Sequence, residues 1–275
     1  MSDVTAWVAS ISVKKVVSEL PKLFPDCIGF SRRRIPEERI LSQGKRSPSK
    51  YWVIRFIAST VGQKILMGFT GLGLCGFLVA HLSGNLLMYH DPLFKDGGKH
   101  YNEYAHFLHS SELLPLAEAG LFGMIFLHLV LAFTTARANR SARGSQDYAE
   151  KQTKQKLGML FFAPHNVMVL TGVIVFGFLC VHLSDMKFEL RNQVPEGTEP
   201  FKHAVHVLKD DFSAVVYIVG SLVLGVHLAH GFQSAFRSIG FAHPKYSPFL
   251  GKLSIVFAII IAVGFASLPI WFRLN

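Results

Sequence analysis

Five runs of this sequence contain no Asp, Glu, Lys or Arg: Ile65–His90, Ala119–Ala136, Leu157–Ser184, Phe212–Phe236 and Leu253–Phe272. Each is at least 18 residues long, about what a helix needs to cross the apolar core of a bilayer. Lipid offers no partner for a backbone N–H or C=O, so such runs must satisfy themselves as helices. Composition agrees: 17% of the 275 residues are charged, against about 25% in a soluble domain. The expectation is an all-α integral membrane bundle of five transmembrane helices. Its spans fall at about 65–89, 114–136, 162–184, 212–235 and 252–272, within a domain covering 51–275.

Residues 1–50 read as a cytoplasmic N-terminal extension. The apolar run Val4–Val13 is short, follows Asp3 and leads into Lys14 and Lys15, unlike a secretory signal. Val8, Ile11, Val16, Leu20 and Leu23 could share one face of a surface helix. A basic linker follows, with Arg32, Arg33, Arg34, Lys45 and Arg46.

The formal net charge of +10 suits either nucleic acid or the cytoplasmic side of a membrane. The apolar runs favour the membrane, with no nucleic-acid partner. Lys45, Arg46, Lys50, Arg55 and Lys64 precede the first span. Arg137, Arg140, Arg143, Lys151, Lys154 and Lys156 separate the second from the third, and Arg237, Lys245 and Lys252 the fourth from the fifth. The remaining connections, 91–118 and 185–211, balance their cations with acids. Counting Lys and Arg near the spans therefore puts the N-terminus in the cytoplasm and the C-terminus outside.

Ionisable residues inside spans are functional candidates. Four of the five runs carry a deep histidine: His81, His128, His182 and His227. One such residue is readily a packing group. Four on successive helices point to metal, because neutral imidazole is a common ligand and bundle cores hold cofactors between facing helices. At 1.5 Å per residue, His81 lies roughly 25 Å from Lys64 and His182 roughly 27 Å from Pro164. His128 and His227 lie only roughly 14 Å from Arg137 and roughly 15 Å from Arg237. Depth thus pairs His81 with His182 at an outer level and His128 with His227 at an inner one.

Heme fits such pairs, since its apolar ring needs a groove and small residues provide one. The candidates are Gly68, Gly71, Gly73 and Gly76, Gly120 and Gly123, Gly172 and Gly177, and Gly220 and Gly225. Close helix packing explains the same glycines equally well. Lys64, Arg137 and Arg237 are candidates for the inner propionates. Cys27, Cys75 and Cys180 form no CxxC or CxxCH, which excludes covalent heme attachment. Gly71–Gly76 satisfies G-x-G-x-x-G, but inside a membrane span rather than between a strand and a helix, so it is no dinucleotide site.

Several stretches together resemble the cytochrome b membrane-anchor subunit of succinate dehydrogenase. They are Val79-Ala80-His81-Leu82-Ser83-Gly84-Asn85-Leu86, Tyr104-Ala105-His106-Phe107, Leu127-His128 with Ala132-Phe133-Thr134 and Ala136-Arg137, Val181-His182, and His227 through Phe236. The likeness is to the single-chain, five-helix, two-heme type, which is related to the fumarate reductase anchor, and covers about residues 58–272. It implies two heme b groups held by four of the helices, with His81 paired to His182 and His128 to His227 as iron ligands. It implies flavoprotein and iron–sulfur subunits as partners. It further implies membrane quinone, menaquinone rather than ubiquinone, as electron acceptor, in the bacterial cytoplasmic (inner) membrane. His227 rather than His230 matches the family's ligand, because it stands four residues before Gly231.

Analogy also places the quinone near the outer heme, with His106, His109 and Glu112 as candidates. A cytoplasmic-side site near Ser59 and Lys64 is the alternative. His203 and His206 have a metal-compatible i,i+3 spacing but read as exposed loop residues. Other readings are the anchor of a fumarate reductase, hydrogenase or formate dehydrogenase, or a histidine-based transporter. The transporter reading would call for acidic residues in the spans, broken helices or an inverted repeat.

Overall fold

A computed structural model describes residues 51–143, 164–241 and 243–275. The N-terminal extension and the loop cations Lys151, Lys154 and Lys156 lie outside these. The elements are α1 (Trp52–Ala58), α2 (Thr60–Leu86), a 3-10 turn (Leu87–Tyr89), α3 (His90–Phe94), α4 (Lys99–His109), α5 (Leu114–Arg143), α6 (Pro164–Met186), α7 (Pro200–Lys209), α8 (Asp211–Ser238) and α9 (Ser247–Leu274). Among the described residues there is no strand. Five helices, within α2, α5, α6, α8 and α9, are long and apolar enough to cross a membrane.

Local chemistry sets where these helices start. The Ser59 hydroxyl accepts from the Gly62 N–H at 3.0 Å and caps α2. The Asp210 carboxylate accepts from the Ser213 N–H at 2.9 Å and caps α8. That N–H, more than any neighbouring side chain, holds the Asp210 carboxyl below its usual range. Pro200 opens α7, where its missing N–H would have had no partner anyway. Phe69, Phe126, Ile259 and Ile260, which do not line the cavity described below, are exposed, the pattern of apolar side chains turned toward lipid.

Within Val53–Asn275, one compact unit, α8 packs on α9, α6 and α2, and α2 packs on α5. Small residues permit these approaches. A Cβ at Gly225 would come within 2.6 Å of Ala262, and one at Gly68 within 2.9 Å of the Ala235 carbonyl oxygen. Helices α5 and α6 do not pack extensively on each other, so α5, α2, α8 and α6 make an incomplete ring around a cavity.

The connections at one end of the bundle fold back as helices. Phe201, Ala204, Val207 and Leu208 of α7 bury against Met88, Tyr217, Leu268 and Phe272. The Phe201 N–H donates to Asn102 Oδ1 of α4 at 2.9 Å. Gly98 starts α4 with φ +78°, and any Cβ there would collide with the Phe201 ring, so both conformation and space require glycine. Beside this cap, Arg191 grips the fully buried Asp185 at 2.9 and 3.3 Å and reaches Asp210 at 3.3 Å. Ser213 donates to Asp185 at 3.1 Å. The Asp185 carboxylate raises the Arg191 guanidinium pKa above its usual range.

Candidate functional site

The four deep histidines come from four different helices, α2, α5, α6 and α8, and all line the one cavity, of about 2830 Å³. Single-ligand pockets run to about 300–1,000 Å³, so the space suits more than one large group. The rings of His81 and His182 stand edge to face with centroids 5.8 Å apart, at 73°. Metal–imidazole bonds run about 2 Å, which would put two rings sharing one metal about 6 Å apart. Phe77, Phe178 and Phe265 surround this pair.

Three of the four histidines have a partner at Nδ1. His128 Nδ1 lies 3.0 Å from Thr70 Oγ1, His227 Nδ1 3.1 Å from Thr171 Oγ1, and His182 Nδ1 3.3 Å from the Tyr217 hydroxyl. The threonines bear on where the imidazole proton sits. Thr70 can give its hydroxyl hydrogen to its own helix, to the Leu66 carbonyl at 3.0 Å or the Met67 carbonyl at 3.1 Å. Thr171 can do the same with the Val167 carbonyl at 2.7 Å. In that arrangement each Oγ1 accepts, and Nδ1 of His128 and of His227 carries the hydrogen. Nε2 keeps its lone pair, the tautomer a metal needs. His81 differs: its Nε2 lies 3.3 Å from Asn85 Nδ2, one turn along α2.

The threonines were not singled out from the sequence, although a signal existed. Met67, Thr70, Gly71, Gly76, Phe77, Leu78, His81, Leu82 and Ser83 recur 101 positions later as Met168, Thr171, Gly172, Gly177, Phe178, Leu179, His182, Leu183 and Ser184. The repeat is parallel, since α2 and α6 are separated by one intervening span. Gly71 and Gly172 occupy matching places. A Cβ on Gly71 would meet His128 Cε1 at 3.6 Å, and one on Gly172 would meet His227 Cε1 at 3.5 Å.

Of the glycines considered as groove walls, Gly68, Gly71 and Gly172 line the cavity, while Gly73, Gly76, Gly120, Gly123, Gly177, Gly220 and Gly225 do not. Met124 fills the space at Gly73 and Phe178 that at Gly220, so packing accounts for those positions. Of the basic candidates, Arg137 lines the cavity; Lys64 and Arg237 are exposed and do not. His109 lines it, while His106 and Glu112 are exposed and do not. His230 is buried outside the lining. The Ser59 hydroxyl is engaged at the start of α2, donating to the Phe56 carbonyl.

One expectation is overturned. His203 is not an exposed loop residue: it sits on α7, 9% exposed, with its apolar neighbours turned into the cap. Among the described residues two buried side-chain polar atoms lack a hydrogen-bond partner, His203 Nε2 and Thr135 Oγ1. Both residues line the cavity. A buried polar atom without a partner costs about 1–3 kcal/mol, so each marks a place where a polar group of a ligand would be welcome. The cavity thus presents apolar walls, four imidazoles and two residues with unpartnered polar atoms.

No family model, curated protein or solved structure matches the chain.

Proposed function

We propose that this chain is a diheme cytochrome b membrane anchor of the succinate dehydrogenase type. It would carry electrons between an iron–sulfur subunit, itself served by a flavoprotein, and membrane quinone, menaquinone by analogy. The observation that carries the reading is the arrangement of four histidines around one cavity, two with Nδ1 within hydrogen-bond distance of a threonine hydroxyl. His81 with His182, and His128 with His227, would hold two heme irons. When bound, a heme with both axial positions filled by imidazole passes single electrons and does not activate oxygen.

The chain's own residues supply the rest. Thr70, Thr171 and Tyr217 orient three of the imidazoles. Arg137 and Thr135 at one end of the cavity, and His203 at the other, would meet propionate carboxylates or a quinone carbonyl. Of the residues considered for quinone, His109 has the placement that favours it. The bilayer would be the bacterial cytoplasmic membrane, with the His81/His182 level toward the outside. The anchor of a fumarate reductase, hydrogenase or formate dehydrogenase would use the same core.

A reduced-minus-oxidised spectrum of the purified full chain tests the reading. Two b-type hemes per chain are expected. His81→Ala and His182→Ala should each remove one and the same centre, and His128→Ala and His227→Ala the other. A chain without b-type bands would defeat the proposal. Loss of different centres from His81→Ala and His182→Ala would defeat the pairing. Co-purification with a succinate-oxidising flavoprotein separates the succinate dehydrogenase type from the other anchors.

A further inference from the structure

The connection between α2 and α4 holds a second cluster that none of this uses. His90 Nδ1 lies 2.6 Å from Asp96 Oδ2, and His100 Nε2 lies 3.9 Å from the same oxygen. The two imidazole rings stand edge to face with centroids 4.0 Å apart. One ligand atom from each residue falls within 4.8 Å of the others. Two imidazoles and a carboxylate are a donor set for zinc, which takes three protein ligands and a water when its site is open. Bonds of about 2.0–2.1 Å in a tetrahedron separate ligand atoms by about 3.3 Å. The present spacings straddle that value, so small rotations would suffice.

The loop holds these groups in place. Asp91 Oδ1 accepts from the Gly97 and Gly98 N–H groups at 2.6 and 3.2 Å. Asp96 Oδ1 accepts from the Gly98 N–H at 3.0 Å, which leaves Oδ2 directed at both histidines. Lys95, Gly97 and Gly98 all have positive φ, a conformation that turns the chain back within four residues. Glu103 Oε2 lies 3.8 Å from His100 Nδ1, on the side of the ring away from Asp96. A carboxylate behind a ligating imidazole is the usual outer partner of a zinc histidine. A hydrogen-bonded His90–Asp96 pair accounts for the 2.6 Å contact but not for the close approach of the His100 ring to His90, while helical spacing brings Glu103 beside His100.

We propose that His90, Asp96 and His100 form a zinc site that clips the end of α2 and α3 to the start of α4. The site matters to the cavity because α4 closes one end of it. Tyr101, Tyr104, Leu108 and His109 of α4 are lining residues, and Tyr104 packs onto Gly84 of α2. The proposal is independent of heme.

The test is zinc titration of the metal-stripped full chain in detergent, in competition with a chromophoric chelator. One tightly bound equivalent is expected. His90→Ala, Asp96→Asn and His100→Ala should each abolish it, His206→Ala on α7 should leave it unchanged, and Glu103→Gln should weaken it by roughly 10–100-fold. Size-exclusion profiles of the variants check folding, and the graded Glu103→Gln result does not depend on removing a ligand. A wild type with no tight equivalent, or the same equivalent in all three ligand variants, would overturn the site and leave heme content as the separate measure of the anchor reading.

Discussion

At the scale of single residues, the controlling feature is where one proton sits. An imidazole inside lipid is neutral in either tautomer, and only one tautomer offers Nε2 as a ligand. Thr70 and Thr171 select that tautomer when their hydrogens go to the carbonyls of the preceding turn, which lie 3.0 and 2.7 Å away. Replacing either by valine keeps the shape and removes the acceptor. The orphaned Nδ1–H then costs about 1–3 kcal/mol, or the ring turns over and loses its ligand geometry. We expect Thr70→Val to weaken heme retention through His128, and Thr171→Val through His227, while Thr70→Ser and Thr171→Ser stay near wild type. Since both histidines belong to one proposed centre, the two valine variants should bleach the same b-type band and spare the other. An unchanged spectrum in both would remove the threonines from the site.

The histidines were legible in the sequence because a polar ring stands out in a run without charge. The threonines were not, because a lone hydroxyl in such a run reads as a back-bond to its own helix. Which helix packs on which had to be known before Thr70 could be matched to His128. Comparison of the two runs, Met67–Ser83 against Met168–Ser184, would have exposed them without coordinates.

At the scale of elements, the clamp beside the cap shows how a charge is held at the end of a span. Asp185 is fully buried, whereas the Arg191 side chain is 36% exposed. Removing either side chain breaks the same contact, yet the consequences differ. Asp185→Ala leaves an arginine that can turn to water, so the loss should be near the about 1–3 kcal/mol of orphaned hydrogen-bonding groups. Arg191→Ala leaves a buried carboxylate without its cation, and breaking a buried pair from one side costs about 3–5 kcal/mol. Arg191→Ala should therefore lower the detergent melting temperature more than Asp185→Ala, and adding Asp185→Asn should recover part of the loss. Equal drops would defeat the asymmetry argued from burial.

The five long apolar elements were evident from charge alone. The cap was not. The stretch 185–211 mixes acids and bases, which suggested an exposed loop, and the burial of His203 followed a pattern that charge counting overlooks. Phe201, Ala204, Val207 and Leu208 recur at helical spacing over a single short helix, an apolar face too narrow to register in a search for spans.

For the whole molecule, packing is uneven in a way that ties stability to what fills the cavity. Helix α8 is braced by α2, α6 and α9, whereas α5 rests chiefly on α2 and faces the cavity on its other side. A ligand that binds only the folded bundle stabilises it by mass action, and the gain should fall where protein contacts are fewest. Local opening follows contact density. Hydrogen exchange of the detergent-solubilised full chain should then be fastest in α5 and slowest in α8 when heme synthesis is limited during expression. Replete heme should protect α5 most, because His128 would join it to His227 of α8 across the gap. The parallel repeat sharpens the expectation. His81 and His182, like His128 and His227, come one from each half, so each proposed centre bridges the halves and neither half could complete one alone. Uniform protection of all five spans, or none in α5, would mean that the cavity is closed by lipid or by helix motion rather than by a group held between the histidines.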